Sequence, residues 1–134
     1  GLHASGSHPS KSLSADAVVG VVTKLKSLGY QTVLFHSRAS YERDKRQIPA
    51  GVEVCVADNL LHAAALVDAC QFLICVDSGV GHMAAALNKK LFSIYFKEVW
   101  MKNSLALGDF VMPYLYHNTE DLLNALSLFF QQRS

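Results

Sequence analysis

Charge is scarce in this sequence. Only 17% of the 134 residues are charged, the formal net charge is +1, and the lysines and arginines are scattered. There is no basic stripe of the kind nucleic acid requires, so nucleic acid is not an expected partner. Cysteine is scarce too: Cys55, Cys70 and Cys75 sit among apolar residues without a Cys-x-x-Cys pair, and an odd number argues against a disulfide framework. They read as buried free thiols in a reducing compartment. No apolar run approaches the roughly 20 residues of a membrane-spanning helix, and the N-terminus lacks a signal-peptide pattern. The cytoplasm is therefore the expected location. Repeats, low-complexity tracts and internal linkers are also missing, and the length suits one globular domain better than two.

What the sequence does have is hydrophobic residues, 51% of the total, arranged as strand-like runs alternating with helix-like stretches. That alternation is the pattern of βα units around a mostly parallel sheet. Residues 1–4 read as the end of a first strand whose beginning is cut off, which suggests a fragment. From Ser14, an N-cap residue, Ala17, Val18, Val21, Val22, Leu25 and Leu28 recur at helical spacing until Gly29 ends the helix. Residues 32–35 read as a strand, 36–47 as a polar loop leading into a short charged helix, and 52–56 as the next strand. A helix is expected over 60–70 with Asp58 or Asn59 near its start, and a continuous apolar strand over 72–76. A helix over 80–87, a strand over 91–96 and a short strand over 110–112 follow, whereas 97–109 gives no clear pattern. Asn118 or Thr119 caps a final helix whose Leu122, Leu126, Phe129 and Phe130 share one face, a stripe expected to be core.

The chemistry concentrates in "CVDSGVGHMAAAL", residues 75–87. In open parallel sheets ligands bind beyond the carboxyl ends of strands, where loops lead into helix N-termini. A helix start offers unpaired N–H groups and the positive end of its dipole, a setting for phosphate. Gly79 and Gly81 keep side chains away from that backbone, and the alanines that follow allow close helix packing. Ser78 is positioned to cap the helix or bond a phosphate oxygen, and His82 to donate to an anion. Asp77 would repel phosphate, so its use is to accept from sugar hydroxyls or to hold the loop.

Two readings of this turn compete. Residues 79–84, Gly-Val-Gly-His-Met-Ala, match the G-x-G-x-x-G/A dinucleotide fingerprint, with Glu98 roughly 20 residues on as a ribose-binding acid, which implies an NAD-binding oxidoreductase domain. Against it, that fingerprint belongs to the first βα turn of its domain, and here at least three strands precede it.

The second reading is a family resemblance. "FLICVDSGVGHMAAALNKKLFSIY" resembles the signature region of glycosyltransferase family 9, the heptosyltransferases of lipopolysaccharide synthesis: a strand, Asp-Ser/Thr-Gly-x-x-His, an alanine-rich helix and a further strand. Asp77, Ser78, Gly79, His82 and the run from Ala84 to Leu87 fit it. "GLHASGSHPSKSL" resembles the segment that opens the family's C-terminal domain, with Ser5 in its small-residue loop and Lys11 where the family binds donor phosphate. "LGYQTVLFHSRASYER" resembles the next unit, with Glu42 matching a glutamate that contacts the donor nucleoside. The resemblance runs in order through about the first 95 residues. The family's glycine- and proline-containing loop after the fifth strand is replaced here by "YFKEVWMKN".

The resemblance implies an α/β, Rossmann-like three-layer domain with a mostly parallel sheet, the C-terminal half of a GT-B glycosyltransferase, with residues 1–134 as the donor-binding domain and the N-terminal acceptor domain absent. It implies transfer of heptose or a related sugar from ADP-heptose to a lipopolysaccharide core acceptor, with Ser5, Lys11, Glu42, Asp77, Ser78, Gly79 and His82 binding the nucleotide-sugar donor and no metal or cofactor. The general base would come from the absent domain, leaving the isolated domain inactive, with an apolar interface able to drive self-association. The location implied is cytoplasmic, at the inner face of the bacterial inner membrane. The altered loop also admits a degenerate, non-catalytic assembly domain.

Overall fold

Every apolar run read as a strand forms one, and the strands lie side by side in a single sheet. The computed structural model describes residues 1–103, 105–106 and 108–131. In chain order these form β1 Leu2–His3, α1 Ala15–Ser27, β2 Val33–Ser37, α2 Arg38–Asp44, β3 Glu53–Ala57, α3 Leu60–Asp68, β4 Phe72–Val76, α4 Gly79–Ala86, β5 Lys90–Tyr95, α5 Glu98–Asn103, β6 Val111–Leu115 and α6 Thr119–Gln131. Local signals set several of these bounds. The Ser14 hydroxyl accepts from the Ala17 N–H at 3.2 Å at the start of α1, and Gly29, with φ of 87°, follows its end, as αL glycine caps do. The Asn59 side chain accepts from the His62 N–H at 2.8 Å and starts α3.

The strand order is β3-β2-β1-β4-β5-β6, and every neighbouring pair is parallel. Two residues suffice for β1 because it is central: Leu2 pairs with Leu34 on one side and with Ile74 on the other. The direction of winding reverses between β1 and β4. The loops leaving those two strands therefore diverge and leave a crevice at their carboxyl ends, the place where such sheets bind ligands.

Alternation along the buried strands divides the core into two faces. Ile74 and Val76 join α1 and α6, whose Val21, Leu25, Leu122 and Phe129 are buried, while Leu73 and Cys75 face Val67 of α3 and Ala84 of α4. Burying each such large side chain contributes about 1.5–3 kcal/mol before entropy is charged. This is the expected three-layer Rossmann-like arrangement.

Three stretches differ from the sequence expectation. Strand β2 continues to Ser37 instead of ending at Phe35, because His36 is buried and pairs in register with Val56. Strand β6 runs through Pro113; as the edge of the sheet it needs no N–H there. Within 97–109 lies α5, and Ser104 and Leu107 fall outside the described residues. Among the described residues all three cysteines are free, Cys75 buried and the others partly so; burial pushes the Cys75 thiol up to about 12. No described helix is long and apolar enough to cross a membrane.

Candidate functional site

A cavity of about 660 Å³ opens at the carboxyl ends of β1 to β4, within the range that holds a small ligand. Phe35, Leu66, Val67 and Met83 give it an apolar wall between α3 and α4, and His3, Ser5, His36 and Ser78 give it a polar floor.

Two side-chain hydrogen bonds hold the polar groups of that floor. Ser78 Oγ and His3 Nδ1 share a bond of 3.1 Å, and His36 Nδ1 and Ser40 Oγ one of 2.9 Å. Burial, reinforced by the neighbouring His36, lowers His3 to about 4. His36 is lowered as well, chiefly by burial, with Asp44 opposing and Arg43 assisting. Both rings are therefore neutral at pH 7, presenting a polar surface without charge.

The expected capping role of Ser78 does not materialise. It occupies the N-cap position of α4, yet no side-chain cap bond forms, because its hydroxyl is engaged with His3. The first N–H groups of α4 are left for another acceptor. A Cβ on Gly79 would meet nothing within 4 Å, and Gly79 lines the cavity. Gly81 is buried against β4, and a Cβ there would make only an ordinary contact, 3.8 Å from Cys75 Cβ.

Beside this turn, Asp77 is 8% exposed and its backbone N–H donates to Ile94 O at 2.9 Å, tying the turn to β5. Lys11 Nζ lies 3.5 Å from Asp77 Oδ2, an ion-pair distance without hydrogen-bond geometry, so this oxygen retains unused accepting capacity. The Lys11 ammonium also stands 4.9 Å from the Trp100 ring centroid.

The loop after β1 is held from α2. Arg43 Nη2 donates to Gly6 O at 2.8 Å. Its neighbour Asp44 is kept below the usual carboxylate range by hydrogen bonds, first from Arg43 and then from the Ser5 hydroxyl. Gly6 is required there: a Cβ would sit 2.6 Å from Lys11 O. At the cavity mouth, Arg38 Nη2 donates to Asp58 Oδ1 at 3.0 Å, joining α2 to the β3–α3 turn.

The structure thus brings Ser5, Ser78 and Gly79 together on the cavity and pairs Lys11 with Asp77 beside it. Glu42 and His82 are outside the lining residues. Glu42 is exposed and accepts from Lys45 Nζ at 2.8 Å, which lowers its carboxyl; His82 is exposed in the first turn of α4. Sequence reasoning missed His3, His36 and Arg43. The signal present for the histidines was polarity at the carboxyl ends of two apolar strands. For Arg43, next to the chosen Glu42, there was no local signal.

Among the described residues no group of three or more His, Cys, Asp or Glu could hold a metal ion. The dinucleotide reading gains no support: its glycine turn follows β4, and Glu98 is exposed and paired with Lys102 at 3.2 Å.

Comparisons with known proteins follow the same line. No curated protein matches the chain. Among solved structures, E. coli ADP-heptose lps heptosyltransferase II superposes with a TM-score of 0.80 at 22% identity, over 98% of this chain and 46% of that one. E. coli heptosyltransferase WaaC with ADP gives 0.77 at 20% identity, over 99% and 43%. A family 9 glycosyltransferase from Veillonella parvula gives 0.75 at 16%, over 98% and 46%. The chain thus spans slightly less than half the length of each, and at these identities the likeness establishes the fold. The family model described as glycosyltransferase family 9 (heptosyltransferase) matches residues 2–99, well over half of the sequence, and the chain therefore belongs to glycosyltransferase family 9.

Proposed function

We propose that the chain is the C-terminal, donor-binding half of a GT-B glycosyltransferase that transfers heptose or a related sugar from ADP-heptose to a lipopolysaccharide core acceptor. The observation that carries this reading is the cavity at the β1/β4 switch point, whose rim is the uncapped N-terminus of α4. Two of the superposed neighbours were solved with ADP and with ADP-2-deoxy-2-fluoro heptose, ligands that suit a cavity with an apolar wall for a base and a helix start for phosphates.

In the proposed reaction the bond between the sugar's anomeric carbon and the diphosphate breaks while the acceptor oxygen bonds that carbon. The acceptor's proton passes to a base from the half of the protein not in this chain. Negative charge grows on the departing diphosphate, and the fixed N–H groups of Gly79 and Val80, with the Lys11 ammonium, stabilise it without reorganising. Asp77 accepts from the sugar's hydroxyls with its unused oxygen, and Ser5, Ser78 and His82 complete the polar contacts. Glu42 reaches the nucleoside by leaving Lys45. The exposed Leu60 and Leu61, 76% and 83% accessible beside the cavity mouth, belong to an apolar surface that favours self-association of the isolated half. Lacking the base, that half is inactive alone, in the cytoplasm at the inner membrane face.

An amide NMR titration with ADP tests this. Residues 77–82 should shift with millimolar ADP; signals that stay fixed there would overturn the reading.

A further inference from the structure

The phosphate end of the cavity is short of positive charge if Lys11 acts alone, because Asp77 at 3.5 Å already offsets it. A diphosphate carries more than one negative charge, so a locally neutral pair beside a helix start under-supplies it. Resting on the donor reading above, we infer that Lys97 is the second cationic group for the diphosphate, and that the Trp100 indole is a positioning residue holding Lys97 and Lys11 together beside the α4 turn.

The geometry comes from three segments. Lys11 leaves the loop after β1, Lys97 leaves the end of β5, and β4 with its turn runs between them. Both ammonium groups nevertheless reach the same ring, Lys11 Nζ at 4.9 Å and Lys97 Nζ at 4.8 Å from the Trp100 centroid. Trp100 therefore bridges the loop after β1 and the segment after β5. It holds two cations closer together than about 10 Å, the screening length at 0.1 M salt, with the π face as their shared attraction. Asp77 balances one of these two charges, which leaves the other to meet an added anion.

The neighbouring ion pairs leave Lys97 available. Lys102, the other lysine of this segment, is taken by Glu98 at 3.2 Å; among the described residues Lys97 has Trp100 and no ion pair. Gly79, with open space where a Cβ would be, lets a diphosphate approach the turn from the cavity. Lys97 and Trp100 lie in "YFKEVWMKN", the stretch that ends β5 and forms α5.

The test compares inorganic pyrophosphate, ADP and adenosine by NMR titration of this chain. Lys97→Met should weaken pyrophosphate and ADP by about 3–10-fold while adenosine is unchanged, the loss expected for one charge-assisted contact. Trp100→Leu should weaken the same two ligands, and Trp100→Phe, which keeps a π face, should restore most of the loss. Lys97 is exposed, so its variant folds and remains informative if Trp100→Leu does not. Parental affinity for pyrophosphate in Lys97→Met, or an equal loss for adenosine, overturns the inference and leaves the donor reading standing. A parent chain that binds neither ADP nor pyrophosphate overturns both.

Discussion

The two ends of the sheet are built from the same strands and do opposite things. At the amino end, Phe72 opens β4 and meets Tyr30 and Phe130 edge-on at centroid distances of 5.3 and 5.4 Å, while Phe129 packs on Phe92 at 5.6 Å. Lys90 stands 4.8 Å over the Phe129 ring. At the carboxyl end the same strands finish in His3, His36 and the Asp77–Ser78 turn, with buried polar atoms and an open cavity. The aromatic end gains stability from area and ring contacts. The polar end gives some of it up: Asp77 Oδ2 is buried without a hydrogen-bond partner, where a ligand can use it.

This division can be broken from either end. The largest effect belongs to the aromatic end: Phe129 is 1% exposed, so Phe129→Ala should cost about 3–5 kcal/mol in urea unfolding. ADP-induced shifts at 77–82 should persist wherever the variant remains folded. A loss under about 1 kcal/mol would mean that the cluster does not anchor the fold.

Acid should weaken the polar end next. His3 is lowered from 6.5 to about 4 in the folded state, so as pH falls the unfolded chain takes up its proton first. Stability is therefore complete above pH 6.5 and declines by on the order of 3 kcal/mol by about pH 4. His36 acts in the same direction. Asp44, held low by Arg43, adds its loss only as pH falls below its ordinary value of 3.8. Unfolding of His3→Gln at pH 7 and pH 4.5 should reveal a smaller difference than in the parent; an equal difference would assign the acid sensitivity elsewhere.

Smaller effects on stability separate fold from function at the cavity. Gly79→Leu meets open space and should leave stability within about 0.5 kcal/mol of the parent while abolishing the ADP-induced shifts. Retained shifts would mean that ligands do not approach the α4 turn. Glu42→Gln should change stability least, its ion pair being exposed, with a melting temperature matching the parent. A few-fold weaker ADP affinity is expected in that variant, and unchanged affinity removes Glu42 from the site.

Much of this protein is legible along the chain. Strand β4, continuously apolar over 72–76, and α1, with its serine cap and terminal glycine, are encoded by residues within one strand or a few turns of each other. The turn at 77–82 stands out for the same reason, since its glycines and polar residues interrupt an otherwise apolar run. Helix α5 escaped because six residues give too little periodicity to read, and β6 was cut short because a proline reads as a stop until the strand is known to be an edge.

By itself, then, the sequence determined the alternation of strands and helices, the family signature and the location of the glycine-containing turn at 77–82, all of them local patterns. Only the tertiary structure decided that Leu2 pairs with both Leu34 and Ile74, which sets the loop carrying Lys11 beside Asp77. Only it decided that Ser78 binds His3 and leaves α4 uncapped, and that Arg43 grips Gly6 while Glu42 turns to Lys45. The reason is that periodicity reports which face of an element is buried, whereas these partners are separated by tens of residues or chosen among competing acceptors. Their choice is settled only when the strands take their order in the sheet.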